Sequence, residues 1–364
     1  MFGLAYGDAL GAPTEFLSYA EIMRRYDVPG PRELPVHGGV ALVTDDTQMA
    51  LAVAEALADV LGADSSREAA GTPASTPDSS PGGSPTAVPD GPVAGGRGPR
   101  LDAKRLTPRL RTHFLTWWAS PDNNRAPGNT CLRACEALAD GVEWSWATIR
   151  GSKGCGANMR VSPVALVDGI GEAERCGAAQ LQAAMTHGHP TALAASDLTA
   201  AAVHALRAGV APKDLPAYLR AHAEAQRSVY HGDWLGDELW RGPFGTTPEA
   251  FVERGWDECL AVLDRLDAAL VLADRRSDPC RVTGAGWVAE EAFATGLLCF
   301  LMYEDAPVDA LARAAASSGD SDSIAALAGA FAGAAYGMSA WPAEWEPVIE
   351  YRADLVRLSE ALAR

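Results

Sequence analysis

The sequence predicts an all-α protein, folded as a single compact orthogonal bundle of many helices. Three observations support this prediction. Apolar residues recur with a period near 3.6 along much of the chain, as they do on the buried face of a helix. Alanine is the dominant residue type, and aromatic residues make up only 7% of the chain. Hydrophobic residues make up 48% and charged residues 21%, which is typical of a globular protein rather than a disordered one.

The chain of 364 residues is strongly acidic, with a formal net charge of -17. Its lysines and arginines form no cluster that could follow a phosphate backbone, so the composition argues against a nucleic-acid-binding surface. A small ligand that carries phosphate remains compatible, because bound cations can invert the local field. We expect a monomer.

The cysteines and the chain start indicate a cytoplasmic protein. Seven cysteines are scattered singly, and none forms the CxxC spacing of a zinc site. An odd number without a regular framework favours reduced thiols. The first residues, MFGLAYGDALGAPTEF, lack the basic start of a signal peptide. We found no uninterrupted apolar stretch of about 18 residues that would predict a membrane span.

A segment at about 62–100 interrupts the helical pattern. It is rich in Gly, Pro, Ser, Thr and Ala, so it cannot bury enough surface to offset the entropy of ordering it. The residues before it are too few for a separate core. We therefore predict one domain over residues 1–364 with a disordered insertion, which loop-closure entropy permits.

Helices are expected on both sides of this insertion. The first, 46–61, places Met49, Val53, Leu57 and Leu61 on one stripe. In the predicted helix 322–337, Gly329, Gly333 and Gly337 recur at intervals of four, which favours a close approach of another backbone. The full set of predicted helices is 46–61, 102–118, 129–140, 160–168, 172–185, 191–208, 212–227, 249–272, 287–303, 307–317, 322–337 and 348–363.

Two short polar runs, each at the start of a small and apolar helix, are the strongest functional signal. They are Thr44-Asp45-Asp46 and Asp320-Ser321-Asp322-Ser323. Ser, Thr and Asp are also the preferred N-terminal caps of helices, so one such run alone predicts a cap. Two runs of this kind favour an all-oxygen site for a hard divalent cation such as Mg²⁺.

Three other motifs are weaker when each is considered alone. Glu15 follows a turn marked by Pro13, and beside a metal it is a candidate for deprotonating water. The glycine-rich run from Gly154 to Arg160 predicts a loop that enters a helix, where backbone amides suit an anion such as a diphosphate. His187 and His189 could stack on a ligand or bond to it, or they could be ordinary loop histidines.

Taken in order, these motifs resemble the ADP-ribosylglycohydrolase family. The resemblance rests on GDALGAPTEF at 7–16, TDDTQMAL at 44–51, GCGANMRVSP at 154–163, THGHP at 186–190 and SGDSDSIAALAGAFAGAAYG at 318–337. It spans nearly the whole chain apart from the insertion. It implies an all-α fold with a cleft for two Mg²⁺ ions, or Mn²⁺ in some members, and a substrate that carries ADP-ribose.

The resemblance also implies roles for individual residues. By position, the metal ligands would be Thr44, Asp45, Asp46, Asp320, Asp322 and Ser323, where Ser323 replaces the usual threonine but keeps its hydroxyl. Glu15, or a metal-bound aspartate such as Asp45 or Asp322, would take the proton of the attacking water. The residues that would contact ADP-ribose are Gly154, Gly156, Asn158, Met159 and His187.

One departure from the family pattern affects the expected acceptor. In bacterial arginine-specific members an aspartate lies three residues before an Asn-Thr pair, where this chain has Ala126 before Asn129-Thr130. Asp122 is shifted by four positions. The acceptor therefore stays open: besides arginine, the linkage that is cleaved could be to serine, to a nucleic acid or to a small metabolite. The alternatives to a hydrolase of this kind are an ADP-ribose-binding partner or immunity protein without turnover, and an unrelated phosphohydrolase, which the lack of a histidine-rich ligand set disfavours.

Overall fold

The structure is a computed structural model that describes residues 1–71 and 101–363. It confirms the all-α prediction. Sixteen α-helices and one small two-stranded sheet are present in this part of the chain. The helices are α1 (Phe2–Gly11), α2 (Tyr19–Arg25), α3 (Asp45–Gly71), α4 (Ala103–Trp118), α5 (Asn129–Ala139), α6 (Trp144–Ala147), α7 (Glu172–Ala184), α8 (Pro190–Arg207), α9 (Leu215–Gln226), α10 (Gly232–Leu235), α11 (Pro248–Leu272), α12 (Cys280–Thr283), α13 (Ala289–Met302), α14 (Pro307–Ala315), α15 (Ser321–Tyr336) and α16 (Arg352–Leu362).

The sheet is an antiparallel pair that precedes α3. Strand β1 (Val36–His37) pairs with β2 (Val40–Ala41), with Val36 opposite Ala41. Ala41 also exchanges backbone hydrogen bonds with the chain before α16: its N–H donates to Val348 and its carbonyl accepts from Glu350. These bonds hold the approach to α3 against the C-terminal part of the fold.

Three details differ from the sequence predictions. The predicted helix 160–168 is instead a short 3₁₀ turn, Ser162–Leu166. Helix α3 continues to Gly71, so the first part of the segment predicted as disordered is helical. The rest of that segment, 72–100, lies outside the described residues. Helix α1 was not predicted, because its three glycines lower the helix propensity of a ten-residue segment.

Helices α1 and α15 pack together through their backbones at the centre of the fold. A Cβ atom on Gly7 would lie 1.9 Å from the Ala325 carbonyl oxygen, and one on Gly329 would lie 1.8 Å from that of Gly3. Only glycine permits this approach. Helices α8, α13 and α14 also pack against α15. The predicted close contact is therefore present at Gly329, and α1 is the helix that makes it, whereas Gly333 is in ordinary contact with Gly3 and Gly337 lies just beyond α15.

Residues Ser321–Ala340 have the length and apolar composition of a membrane span, and about 56% of this stretch is buried within the fold. A core helix has the same two properties. Because α1 packs directly on α15, we interpret this segment as the central core helix. No other helix of the described residues has both properties.

Candidate active site

The two polar runs of the sequence meet at one cavity of about 220 Å³, where Asp322 lies within hydrogen-bond reach of Thr44. Helix α3 brings one run to this cavity and helix α15 brings the other, because each run occupies the first turn of its helix. The turn after α1 adds a third wall. The residues of the cavity wall are Glu15, Asp45, Asp46, Ala126, Gly128, Asn129, Thr130, Cys131, Gly154, Cys155, Gly156, Met159, His187, Trp287, Asp320, Asp322 and Ser323.

Thr44 serves as a cap, but Asp320 does not. The Asp46 N–H donates to Thr44 Oγ1 at 3.3 Å, which is the capping bond expected at the start of α3. Asp320 is at the N-cap position of α15, and its side chain makes no capping hydrogen bond. Capping therefore accounts for Thr44 but not for the carboxylate of Asp320, which instead lies within hydrogen-bond reach of Asp322 and Ser323.

Glu15 is held directly above the start of α15. It follows a 3₁₀ turn, Ala12–Thr14, and the Thr14 hydroxyl lies 2.6 Å from the Ala315 carbonyl oxygen and 3.0 Å from Ser321 Oγ. One carboxylate oxygen from each of Glu15, Asp320 and Asp322 lies within 4.8 Å of the others. Three carboxylates from two distant parts of the chain thus converge on one point.

Burial makes this concentration of acids costly in the absence of a cation. It raises the pKa of Glu15 to about 8, with the negative charges of Asp322 and Asp45 adding to the effect. Burial, together with the charge of Asp322, also raises the pKa of Asp45 and Asp46 well above the ordinary value. Asp46 Oδ2 is buried and has no hydrogen-bond partner among the described residues.

Asp8 is a buried carboxylate of this cluster that the sequence analysis missed. It accepts hydrogen bonds from the Thr44 N–H at 3.0 Å and from the Thr47 N–H at 3.1 Å, so it binds the N-terminus of α3. Burial, and then the charge of Asp322, raise its pKa to about 7. The GDALG run gives no local signal for this role, because the amides that Asp8 contacts lie 36 and 39 residues away.

These donors fit a divalent cation site. The side chains offer carboxylate and hydroxyl oxygens, which are the ligands that Mg²⁺ and Mn²⁺ prefer. In residues 1–71 and 101–363, no lysine, arginine or histidine forms an ion pair with Asp8, Glu15, Asp45, Asp46, Asp320 or Asp322. Positive charge from a bound ion would offset the repulsion that the protein itself leaves uncompensated.

The glycine-rich loop lines the cavity but does not begin an α-helix. It forms a 3₁₀ turn, Cys155–Ala157, and the Cys155 N–H donates to the Trp287 carbonyl. The amides of Asn158 and Met159 both donate to the Cys155 carbonyl. The predicted α-helix at this loop is thus wrong, and the amides of Cys155, Asn158 and Met159 are used within the turn and by Trp287, whereas a diphosphate contact at Gly154 and Gly156 stays a prediction.

The predicted ligand contacts of this loop occupy different environments. Gly154 and Gly156 lie against His187, whose Cε1 would be 3.1 Å from a Cβ on Gly156. Met159 lines the cavity, and its sulfur accepts from the Ser323 hydroxyl at 3.8 Å. Asn158 lies behind the wall, fully buried, where its amide donates to the Ala289 carbonyl at 3.1 Å. Its position is that of a loop anchor.

The two histidines of the THGHP motif have separate roles. His187 lines the cavity, and burial, aided by the charge of Arg160, lowers its pKa well below the usual range, so its ring is neutral. His189 Nδ1 instead accepts from the Thr191 N–H at 3.1 Å and caps α8. Burial lowers the pKa of His189 to about 4.

Two aromatic rings at the cavity rim were also missed. Phe16 and Trp287 stack with their centroids 6.2 Å apart, although Phe16 is 74% exposed and Trp287 46% exposed. Trp287 lines the cavity and Phe16 directly follows Glu15. An exposed stacked pair beside an acidic cavity offers an apolar surface to part of a substrate.

The family of the chain follows from the match of its sequence to a known family. The family model for ADP-ribosylglycohydrolases matches residues 1–364. The chain belongs to the ADP-ribosylglycohydrolase family.

Two curated relatives and one solved structure agree with this assignment. The chain is 25% identical over 348 residues to the ADP-ribosyl-[dinitrogen reductase] glycohydrolase of Rhodospirillum rubrum, covering 94% of this chain and 86% of that protein. It is 29% identical over 232 residues to human ADP-ribosylhydrolase ARH3, covering 59% of each chain. A solved structure described as an ADP-ribosylglycohydrolase-related protein complex has the same fold, with a TM-score of 0.61, 22% identity and coverage of 100% of this chain and 94% of that one.

Proposed function

We propose that this member of the ADP-ribosylglycohydrolase family hydrolyses the N- or O-glycosidic bond between ADP-ribose and an acceptor, with two Mg²⁺ ions as cofactor. The observation that supports this best is the convergence of Glu15, Asp320 and Asp322 in a cavity that Asp45 and Asp46 also line. Thr44 and Ser323 would complete the ligand set. Both curated relatives are named as hydrolases of ADP-ribosyl groups.

The residues of the chain divide the reaction between them. Glu15 is the best placed base, because its carboxylate lies in the cavity without an Arg or Lys partner in the described residues and can accept the proton of a water. Asp45 or Asp322 is the alternative base. Bound Mg²⁺ would supply Lewis acidity and lower the pKa of a coordinated water. The neutral His187 ring and the loop at Gly154 and Gly156 would orient the ribose and the diphosphate.

The acceptor is proposed to be something other than arginine. Ala126 lines the cavity with a positive φ of 53° and presents only a methyl group where the arginine-specific members have an aspartate. Asp122 is not part of the cavity wall, so it does not replace that aspartate. The remaining candidates are serine, a nucleic acid and a small metabolite.

The test is a hydrolysis screen with arginine-, serine- and nucleic-acid-linked ADP-ribose, with Mg²⁺ and with EDTA. We expect Mg²⁺-dependent release of ADP-ribose in wild type and a loss of at least about 100-fold in Asp320→Asn and Asp322→Asn. Asp122→Asn is the matched control and should retain activity. Binding of ADP-ribose by calorimetry without turnover of any substrate would indicate a non-enzymatic binder, and release of phosphate would contradict a glycohydrolase.

We also propose that the chain forms one domain, acts as a monomer and resides in the cytoplasm. All seven cysteines are free thiols in the structure, and six of them are buried. This agrees with a reducing compartment.

A further inference from the structure

A second group of metal-binding side chains lies outside the acidic cavity. Cys176 on α7, Asp197 on α8 and His231 before α10 each place one ligand atom within 4.8 Å of the others. Cys176 and Asp197 are fully buried, and His231 is partly exposed. None of the three lines the cavity that contains Glu15. The function proposed above makes no use of them.

Hydrogen bonds to neighbouring side chains orient two of these ligands. The His231 Nε2 donates to Gln226 Oε1 at 3.1 Å, so the neutral imidazole keeps its lone pair on Nδ1. Asp197 Oδ2 accepts from the Gln180 amide at 2.8 Å, and Oδ1 lies 3.0 Å from His222 Nε2. Each carboxylate oxygen retains a second lone pair. Outer partners of this kind are typical of protein metal sites.

The backbone is shaped so that these residues meet. Gly177 follows Cys176, and a Cβ on Gly177 would lie 2.2 Å from the ring of Trp234. The absence of that atom lets the Trp234 ring contact α7 at Gly177 and brings His231, three residues earlier, close to Cys176. A larger residue at this position would move the whole turn away from the helix.

The donor types separate this site from the acidic one. A thiolate, an imidazole and a carboxylate together suit Zn²⁺, whereas the acidic cavity offers the hard oxygen ligands of Mg²⁺. The alternative is a purely structural cluster, in which Asp197 and His222 form a buried ion pair and the Cys176 thiol donates a hydrogen bond to Asp197. That alternative accounts for Asp197 and Cys176 and gives no part to His231, which Gln226 and the packing of Trp234 hold beside them.

We propose that Cys176, Asp197 and His231 bind one Zn²⁺ ion, with water at the fourth position on the partly exposed side of His231. Binding displaces the thiol proton of Cys176 to solvent. The ion would tie α7 and α8 to the turn before α10. Since His187 lies between α7 and α8, the ion would also stiffen one wall of the cavity.

The test uses Co²⁺ as a spectroscopic probe on the full chain after removal of metals. A cobalt ion bound to a thiolate gives a charge-transfer band in the near ultraviolet, which oxygen ligands do not give. We expect wild type to bind one Co²⁺ ion per chain that gives this band. The band should be absent in Cys176→Ser, and added Zn²⁺ should remove it by displacing the Co²⁺ ion. Cys280→Ser, which alters a cysteine outside both sites, should keep it.

Two further variants keep the outcome decisive. Cys131 and Cys155 line the acidic cavity, so a cobalt ion bound there could give the same band. A band that comes from Cys176 must therefore persist in Asp322→Asn, which alters the acidic cavity. Loss of the band in Asp322→Asn, its retention in Cys176→Ser, or its absence in wild type would each overturn the proposal. If Cys176→Ser does not fold, His231→Gln decides, because this partly exposed residue can be replaced more safely; we expect at least about a tenfold loss of Zn²⁺ affinity. Unchanged affinity in His231→Gln would refute the site.

Discussion

Replacing Gly329 by alanine should destabilise the protein severely, whereas the same change at Gly333 should not. Both glycines lie on α15 and both have ordinary helical backbone angles. A Cβ on Gly329 would lie 1.8 Å from the Gly3 carbonyl oxygen, but one on Gly333 would lie 3.6 Å from the nearest atom, which is an ordinary contact. The two variants therefore differ only in what the new methyl group meets.

The magnitude follows from that geometry. Because the obstacle is backbone, α1 and α15 would have to separate by roughly 1.5 Å, and overpacking of this kind costs about 3 kcal/mol or more. At Gly333 the change removes the entropic penalty of a glycine in a helix, a gain of up to about 1 kcal/mol. The two variants should thus differ by about 4 kcal/mol, or roughly 5 °C in melting temperature for a chain of 364 residues.

Thermal and urea denaturation of wild type and both variants in EDTA would measure this difference. Hydrolytic activity gives a second readout, since α1 leads to Glu15 and α15 begins at the Asp320 run. A Gly329→Ala protein that is as stable as Gly333→Ala would refute the close backbone packing of these helices.

Three other predictions concern the acidic cavity and its rim. Asp322→Asn should abolish Mg²⁺-dependent hydrolysis yet raise the free energy of unfolding of the metal-free protein by about 1 to 3 kcal/mol, because it removes a buried negative charge from the cluster; denaturation in EDTA would show this, and a lower stability would contradict it. The folded-state pKa values of Asp8 and Glu15, about 7 and about 8, exceed their unfolded values near 4, so the native state binds more protons between these values and stability in EDTA should fall as pH rises from about 4 to about 8 and then level off. Mg²⁺ should therefore raise the melting temperature more at pH 8 than at pH 5, and an equal rise at both would count against the site. Trp287→Ala should raise KM several-fold with little change in kcat, because the ring offers surface to the substrate but is neither a proposed metal ligand nor the proposed base; steady-state kinetics that show a fall in kcat at unchanged KM would contradict this.

The sequence predicted those site residues that belong to a local pattern, namely a polar run at the start of a helix. Thr44-Asp45-Asp46 and Asp320 to Ser323 could be recognised because each run starts a helix, and the structure brings both to one cavity. Asp8 could not be recognised, because its role depends on contacts with backbone amides 36 and 39 residues away.

Other parts of the site depend on tertiary packing that no local pattern reports. The glycine-rich loop resembled a helix entry, but its amides bond within a tight turn and to Trp287. Cys176, Asp197 and His231 have no common spacing, and they meet because Trp234 packs against Gly177. Neither arrangement could be predicted without the surrounding helices.

The contact between α1 and the start of α15 also has a consequence for the time course of synthesis. The Ser321 hydroxyl donates to the Gly11 carbonyl across 310 residues of chain. At about 5–20 residues per second, a ribosome needs roughly 15–60 s to make that intervening stretch. During this interval the glycine-rich face of α1 lacks α15, the helix on which it packs. The nascent chain must therefore avoid association of this face with other chains until α15 has been made.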